Sequence, residues 1–210
     1  MATTKNTSYQ VRPDKHTTQA IEGLHPEEGV FVYDTDLKVN KYWNGSEWFY
    51  SSRKATTGFM DYNDATGDVT LVADRWTDVP NNGLGAFTNK TYKPSVVNEV
   101  MDTSTGYLDF SDLTLGSEIG IRNDFTVTPN TNNSLLQLRY LLGQGDGEYP
   151  LLFWSERLDS GSGIPYQRVP FFKIYMGDLN TQGGVGKLQV KLSTNGVINN
   201  AGSYISINIR

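Results

Sequence analysis

The stretch from Gly106 to Gly143 constrains the fold most. Ile119 and Ile121 alternate with Gly120 and Arg122, and Phe125 and Val127 with Thr126 and Thr128. After a polar tract, Pro129 to Ser134, the pattern resumes: Leu136, Leu138 and Tyr140 alternate with Gln137, Arg139 and Leu141. A period of two places one set of side chains on a buried face and the other in water. Two such runs joined by a Pro/Asn/Thr/Ser connector predict neighbouring antiparallel strands, the middle of a β-sandwich.

The flanking sequence repeats the theme. Val69 to Ala73, Tyr92 to Val100, Val169 to Met176, Lys187 to Leu192 and Tyr204 to Arg210 each predict a strand, with Ile205, Ile207 and Ile209 on one face of the last. Tyr149 to Trp154 is a nearly continuous apolar run, the pattern of a strand buried on both faces. Turns are expected at Gly143–Glu148, in the Ser-Gly-Ser-Gly loop before Ile164, and at Asn195–Gly196. About eight short strands over residues 69–210 suit a jelly roll. Before it, Val30, Val32, Leu37 and Val39 alternate, and Asn44–Gly45 is a strong hairpin signal flanked by Trp43 and Trp48. The expected organisation is all-β: an extended N-terminal arm (residues 1–28), a small β-meander (29–57), a linker (58–68) and an antiparallel jelly-roll sandwich (69–210). Within the arm, Asp14 to Gly23 can form a short helix, and Val11, Ile21 and Leu24 are the candidate anchoring side chains.

Composition narrows the function. The chain has 210 residues and a hydrophobic fraction of 37%, low for a monomer that must build a large core; aromatics reach 12%. Aromatic side chains are therefore expected at interfaces as well as in the core. A net charge of −5 argues against nucleic acid as a main partner, which needs clustered Lys and Arg. No cysteine is present, so disulfides, thiolate metal sites and cysteine nucleophiles are excluded. No apolar run is long enough for a transmembrane helix, and the first residues lack the apolar core of a signal peptide. Synthesis and folding in a cytoplasm are expected.

Catalytic patterns are weak, and neither enzyme activity nor a cofactor is expected. The two histidines, His16 and His25, both lie in the arm. The acid-rich run Asp61 to Asp68 departs from a calcium loop, because Ala65 occupies a ligand position and no Glu closes it; it reads as a turn. Asp109 with Asp112, or Glu148 with Glu156, would serve a glycosidase only at a defined separation across a cleft. The aromatic residues of the second half are the better lead. Trp154, Tyr166, Phe171 and Tyr175 are the candidates for a subunit interface or a glycan-stacking surface.

The segment Gly29 to Ser52, with its pattern GVFVYDT…YWNGSEW, resembles a short module of bacteriophage tail and fibre proteins. Asp109 to Val127 and the closing YISINIR resemble the β-rich domains of phage fibre, spike and head-decoration proteins. The resemblance implies a homotrimeric structural protein on the virion surface, anchored to other virion proteins through residues 1–28. Its sandwich would face outward, with host surface glycan as a further partner. The resemblance supplies no catalytic or binding residue. A carbohydrate-binding adhesion module without a structural role is the competing reading, and a small polysaccharide depolymerase a third.

Overall fold

The computed structural model describes residues 13–50 and 56–210, which fall into two compact units divided between Lys54 and Ala55.

Unit 1 contains strand β1 (Asp14–His16), helix α1 (Thr18–Glu22), and strands β2 (Phe31–Asp34), β3 (Val39–Trp43) and β4 (Trp48–Tyr50). They form one sheet in the order β1-β2-β3-β4, with β1 parallel to β2 and the other pairs antiparallel. The Thr17 hydroxyl caps α1 by accepting from the Ala20 N–H, and the helix ends at Gly23. The Asn44–Gly45 signal is realised between β3 and β4. Asn44 Oδ1 accepts from the backbone N–H groups of Ser46 and Glu47, and Gly45 takes the positive φ of +95°. Trp43 and Trp48 pack across this turn with centroids 5.4 Å apart.

Residues 14–22 are thus part of the module's own structure rather than of a separate extended arm. Its hub is Asp34, which is fully buried and forms an ion pair of 2.8 Å with the nearly buried Lys41. Asp34 also accepts from the Thr18 hydroxyl and from the backbone N–H groups of Asp36 and Leu37. Burial pushes the carboxyl up. The bonds from Leu37, Lys41, Thr18 and Asp36 outweigh it and hold the group at about 2.

Unit 2 is the sandwich. Its strands are β5 (Thr57–Asn63), β6 (Asp68–Leu71), β7 (Thr77–Asp78), β8 (Met101–Asp102), β9 (Tyr107–Asp109), β10 (Glu118–Pro129), β11 (Ser134–Gly143), β12 (Tyr149–Leu158), β13 (Tyr166–Arg168), β14 (Phe171–Tyr175), β15 (Val185–Leu192) and β16 (Gly196–Asn208). A short helix, α2 (Leu179–Gln182), precedes β15. In one sheet β10 lies between β16 and the pair β13/β14, and β5 and β6 share the far side of β16. The other runs β12-β11-β15-β9-β8, with β7 also on β15. The two inner faces enclose one core, with Ile119, Ile121, Val127, Leu136, Leu138 and Ile205 at its centre. This is the expected jelly-roll sandwich.

Four details differ from expectation. First, β10 and β11 are not hydrogen-bonded neighbours: they are inner strands of opposite sheets, and the connector after Pro129 crosses the core's end. There the Asn130 N–H donates to the Asn195 carbonyl, beside the parallel crossing from β15 to β16. Second, the expected linker 58–68 contains β5, which pairs with the last half of β16 from Thr57↔Asn208 to Asn63↔Gly202. Gly58 permits this pairing to continue into a close approach, since a Cβ there would meet the Tyr92 carbonyl at 2.3 Å. Third, Tyr92 to Val100 is irregular chain, in which Val97 and Val100 both reach the core. Proline at 94 removes a ladder donor there. Fourth, the last strand is longer than the expected Tyr204–Arg210: the turn at Asn195–Gly196 leads straight into the 13-residue β16. That strand continues past a bulge near Gly202, whose φ of +140° and contact with the Tyr62 carbonyl require glycine.

Asp34→Asn should destabilise unit 1 by about 3–5 kcal/mol, because it removes the buried countercharge of Lys41. The read-out is amide hydrogen exchange over residues 31–43. In the unaltered chain the Asp34 contribution is complete above the ordinary value of 3.8 and is lost as pH falls towards 2.

Candidate recognition edge

Two strands with a sheet neighbour on one side only meet along one long edge of the sandwich: β12 from one sheet and β13/β14 from the other. The apolar run Tyr149 to Trp154 was expected to be buried on both faces, yet it is this edge. Tyr149, Leu152 and Trp154 are exposed. The register explains why. β12 pairs with β11 alone, and slips between Leu138↔Trp154 and Arg139↔Leu152, so that Phe153 is an extra, bulged residue. A bulge re-aims side chains. Here Phe153 stacks on Tyr140 at 5.4 Å and on Phe172 of β14 at 5.0 Å, closing the gap between the sheets with three rings.

A charged clasp continues the closure. Glu156 of β12 receives two hydrogen bonds from the Arg168 guanidinium of β13, at 2.7 and 2.5 Å, and a third from the Trp154 indole at 3.2 Å. The Arg168 bonds hold the Glu156 carboxyl below its ordinary value against the opposing pull of partial burial, with the Trp154 bond adding to them. This clasp was not legible in the sequence, because its members are twelve residues apart on different strands.

The four candidate aromatics separate. Trp154 lies on the edge and is exposed. Phe171 and Tyr175 are 57% and 69% exposed on β14. The Phe171 ring lies over Gly120, where a Cβ would come within 2.7 Å of it. Tyr166 does not belong with them: it is 9% exposed, packs in the core cluster, and its hydroxyl accepts from the Ser160 N–H at 2.5 Å. Alternation decides this, since Tyr166 pairs with the inward Val127. The sequence reading did not single out Leu152 and Val169, which are 53% and 52% exposed on the same edge.

At one end of the edge lies a pocket of about 220 Å³. Leu142, Leu151 and Ile174 form its apolar part, and Tyr149, Lys173, Asp178 and Thr181 supply polar groups. The hydroxyls of Tyr149 and Thr181 are 2.7 Å apart, Asp178 caps α2 through the Thr181 N–H, and Lys173 pairs with Glu118.

The anchor candidates lie in unit 1 or before it. Ile21 is fully buried within its own unit, so its side chain serves that unit's interior. Leu24 is half-buried, and Val11 lies outside the described residues.

The acids considered for catalysis have structural duties. Asp112 accepts from the backbone N–H of Asn98 at 2.6 Å, Asp109 from that of Ser111, and Glu148 pairs with Lys187. In the run Asp61 to Asp68, Asp64 accepts from the Asn82 N–H and the Thr66 hydroxyl, and Asp68 from the Asn199 amide. Among the described residues, no group of three or more His, Cys, Asp or Glu is placed to hold a metal ion, and no helix is long and apolar enough to cross a membrane.

No protein-family model and no curated protein matches the chain. Among solved structures, Eiger TNF from S. frugiperda is similar over 73% of this chain and 92% of its own, at 12% identity and a TM-score of 0.42. Infectious bursal disease virus Gt strain is similar over 84% of this chain and 41% of its own, at 10% identity and a TM-score of 0.40. PRD1 vertex protein P5 is similar over 73% and 96%, at 17% identity and a TM-score of 0.30. At these scores neither fold nor function is transferred to this chain, whose fold rests on its own strand order.

Glu156→Gln should loosen the edge by about 1 kcal/mol, the scale of a half-exposed ion pair. The check is a fall in urea midpoint above the carboxylate range. The difference between the variant and the unaltered chain should shrink as pH falls through that range, since a lowered carboxyl loses its contribution on protonation.

Proposed function

We propose that this chain is a structural protein of a bacteriophage particle, a homotrimeric fibre or decoration protein on the virion surface. It attaches to other virion proteins through its N-terminal residues, and its sandwich faces outward towards the host. The role is non-enzymatic.

The observation that carries this reading is the wet aromatic edge. Tyr149, Leu152, Trp154, Val169, Phe171 and Tyr175 are all exposed along β12, β13–β14 and the link between them. Most of the exposed part of each of these side chains is apolar, and apolar surface left in water carries a cost. An apolar strand edge left in water also invites pairing. A neighbouring copy of the chain covering this edge relieves both costs; in a ring of three the covering patch is a different surface of that copy, so that each subunit's edge is covered by the next. The resemblance of Gly29 to Ser52 to a phage fibre module supports the virion setting and the threefold assembly.

A carbohydrate-binding reading of the same edge is favoured by the pocket at its end, where a tyrosine side chain and an apolar floor meet Lys173, Asp178 and Thr181. Glycans are bound by this combination of apolar contact and convergent polar groups.

Light scattering on the full chain at micromolar concentration should give three times the 23.4 kDa chain mass. Phe171→Ser combined with Tyr175→Ser should shift it to the monomer with the fold retained by circular dichroism. A clean monomer for the unaltered chain contradicts the proposal. On a glycan array, binding that is lost with Tyr149→Ala supports the carbohydrate reading, and no binding leaves the structural role alone.

A further inference from the structure

Deep in the sandwich, behind the ring stack that closes its edge, is a polar cluster inside an apolar core. Asn123 of β10 is fully buried. Its Oδ1 accepts two hydrogen bonds of 3.0 Å, one from the Tyr140 hydroxyl of β11 and one from the Ser203 hydroxyl of β16. These bonds join the two sheets through the core. The Asn123 Nδ2 group, equally buried, has no hydrogen-bond partner among the described residues. Leaving such a donor unmet costs the full desolvation of the group, and the surroundings of Asn123 supply a partner.

A small cavity adjoins it. Its lining, which includes Asn81, Asn123, Tyr140, Asn200 and Ser203, consists wholly of buried residues. The space open to the centre of a water molecule is about 10 Å³, which is close to what a single water needs. Acceptors are within the lining. Asn81 Oδ1 takes one backbone N–H, from Gly83, and Asn200 Oδ1 takes one, from Gly202. Each amide oxygen has a second lone pair. The amide groups themselves are fixed, because Asn81 Nδ2 donates to the Tyr62 carbonyl and Asn200 Nδ2 to the Pro80 carbonyl.

We infer that this cavity is a binding site for one internal water molecule, which accepts from the Asn123 amide and donates to the amide oxygens of Asn81 and Asn200. The bonding follows from the Asn123 orientation in which Oδ1 accepts from the Tyr140 and Ser203 hydroxyls. Reversed, the carbonyl would face the cavity and still need a partner, and a water there would donate to it and to one of the two amide oxygens instead of both. The water extends the Asn123–Tyr140–Ser203 tie to the chain around Pro80 and to β16, joining both sheets and a loop through one polar node.

The test is a high-resolution crystal structure of the full chain, with water–amide ROESY spectra in solution. The expected result is one fully occupied water within hydrogen-bonding distance of the Asn123 amide, and cross-peaks from the Asn123 side-chain amide to a long-lived water. A dry cavity, or an Asn123 amide whose two polar atoms are both met by protein groups, overturns the inference. Asn123→Leu should remove the water and lower the melting temperature. Should that variant fail to fold, the density and spectra of the unaltered chain still decide.

Discussion

The sandwich depends on one pairing, that of β10 with β16. The two strands are matched from Glu118↔Asn208 to Pro129↔Gly196, interrupted by a single bulge. The inward side chains of this ladder, Ile119, Ile121, Phe125 and Val127 from β10 and Ile198, Ile205 and Ile207 from β16, form half the core. Every other strand of that sheet attaches to one of these two. The ladder is also non-local, joining residues some eighty apart in sequence, so its loop-closure cost is met only when the second sheet covers it. The second sheet supplies Leu136, Leu138, Tyr140, Leu188, Val190 and Leu192. β10 itself pairs only with β13, β14 and β16, all of which follow β12 in the chain.

Much of this was legible. The alternation at Ile119–Val127, Leu136–Tyr140, Leu188–Leu192 and Ile205–Ile209 marks the inner strands, because a period of two is imposed wherever one face is buried. The pairing partners were not. Alternation reports which face of a strand is buried but not which sheet it joins, so β10 and β11 read as neighbours although they face each other across the core. The run Tyr149 to Trp154 misled for a related reason. Continuous apolar residues read as burial on both faces, and a strand that closes one edge and leaves an apolar flank in water has the same composition. Asp61, Asn63, Asp64 and Gly67 disguised β5 as a linker, since turn-forming residues dominate its end and its junction with β6, and both strands dock on β16.

The candidate site was legible by composition and not by position. Aromatic crowding after Gly143 pointed to β12 and β14, where Tyr149, Trp154, Phe171 and Tyr175 are exposed. Only register separates Tyr166, whose pairing with Val127 turns it inward, from Phe171 and Tyr175, which pair with the outward Arg122 and Glu118. The Glu156–Arg168 clasp and the Tyr140–Phe153–Phe172 stack exist only once β12 and β13–β14 face one another. In unit 1 the Asp34–Lys41 pair has the same character: two ordinary surface residue types become a buried hub through the β2–β3 register.

In the proposed assembly, copies of this chain meet through the β12 and β13–β14 edge. Hydrogen exchange followed as a function of protein concentration tests it directly. The account predicts that amides of residues 149–158 and 166–175 gain protection as concentration rises through the micromolar range, while the opposite edge at β8 does not change. Concentration-independent exchange along residues 149–158, or added protection confined to other strands, would contradict it.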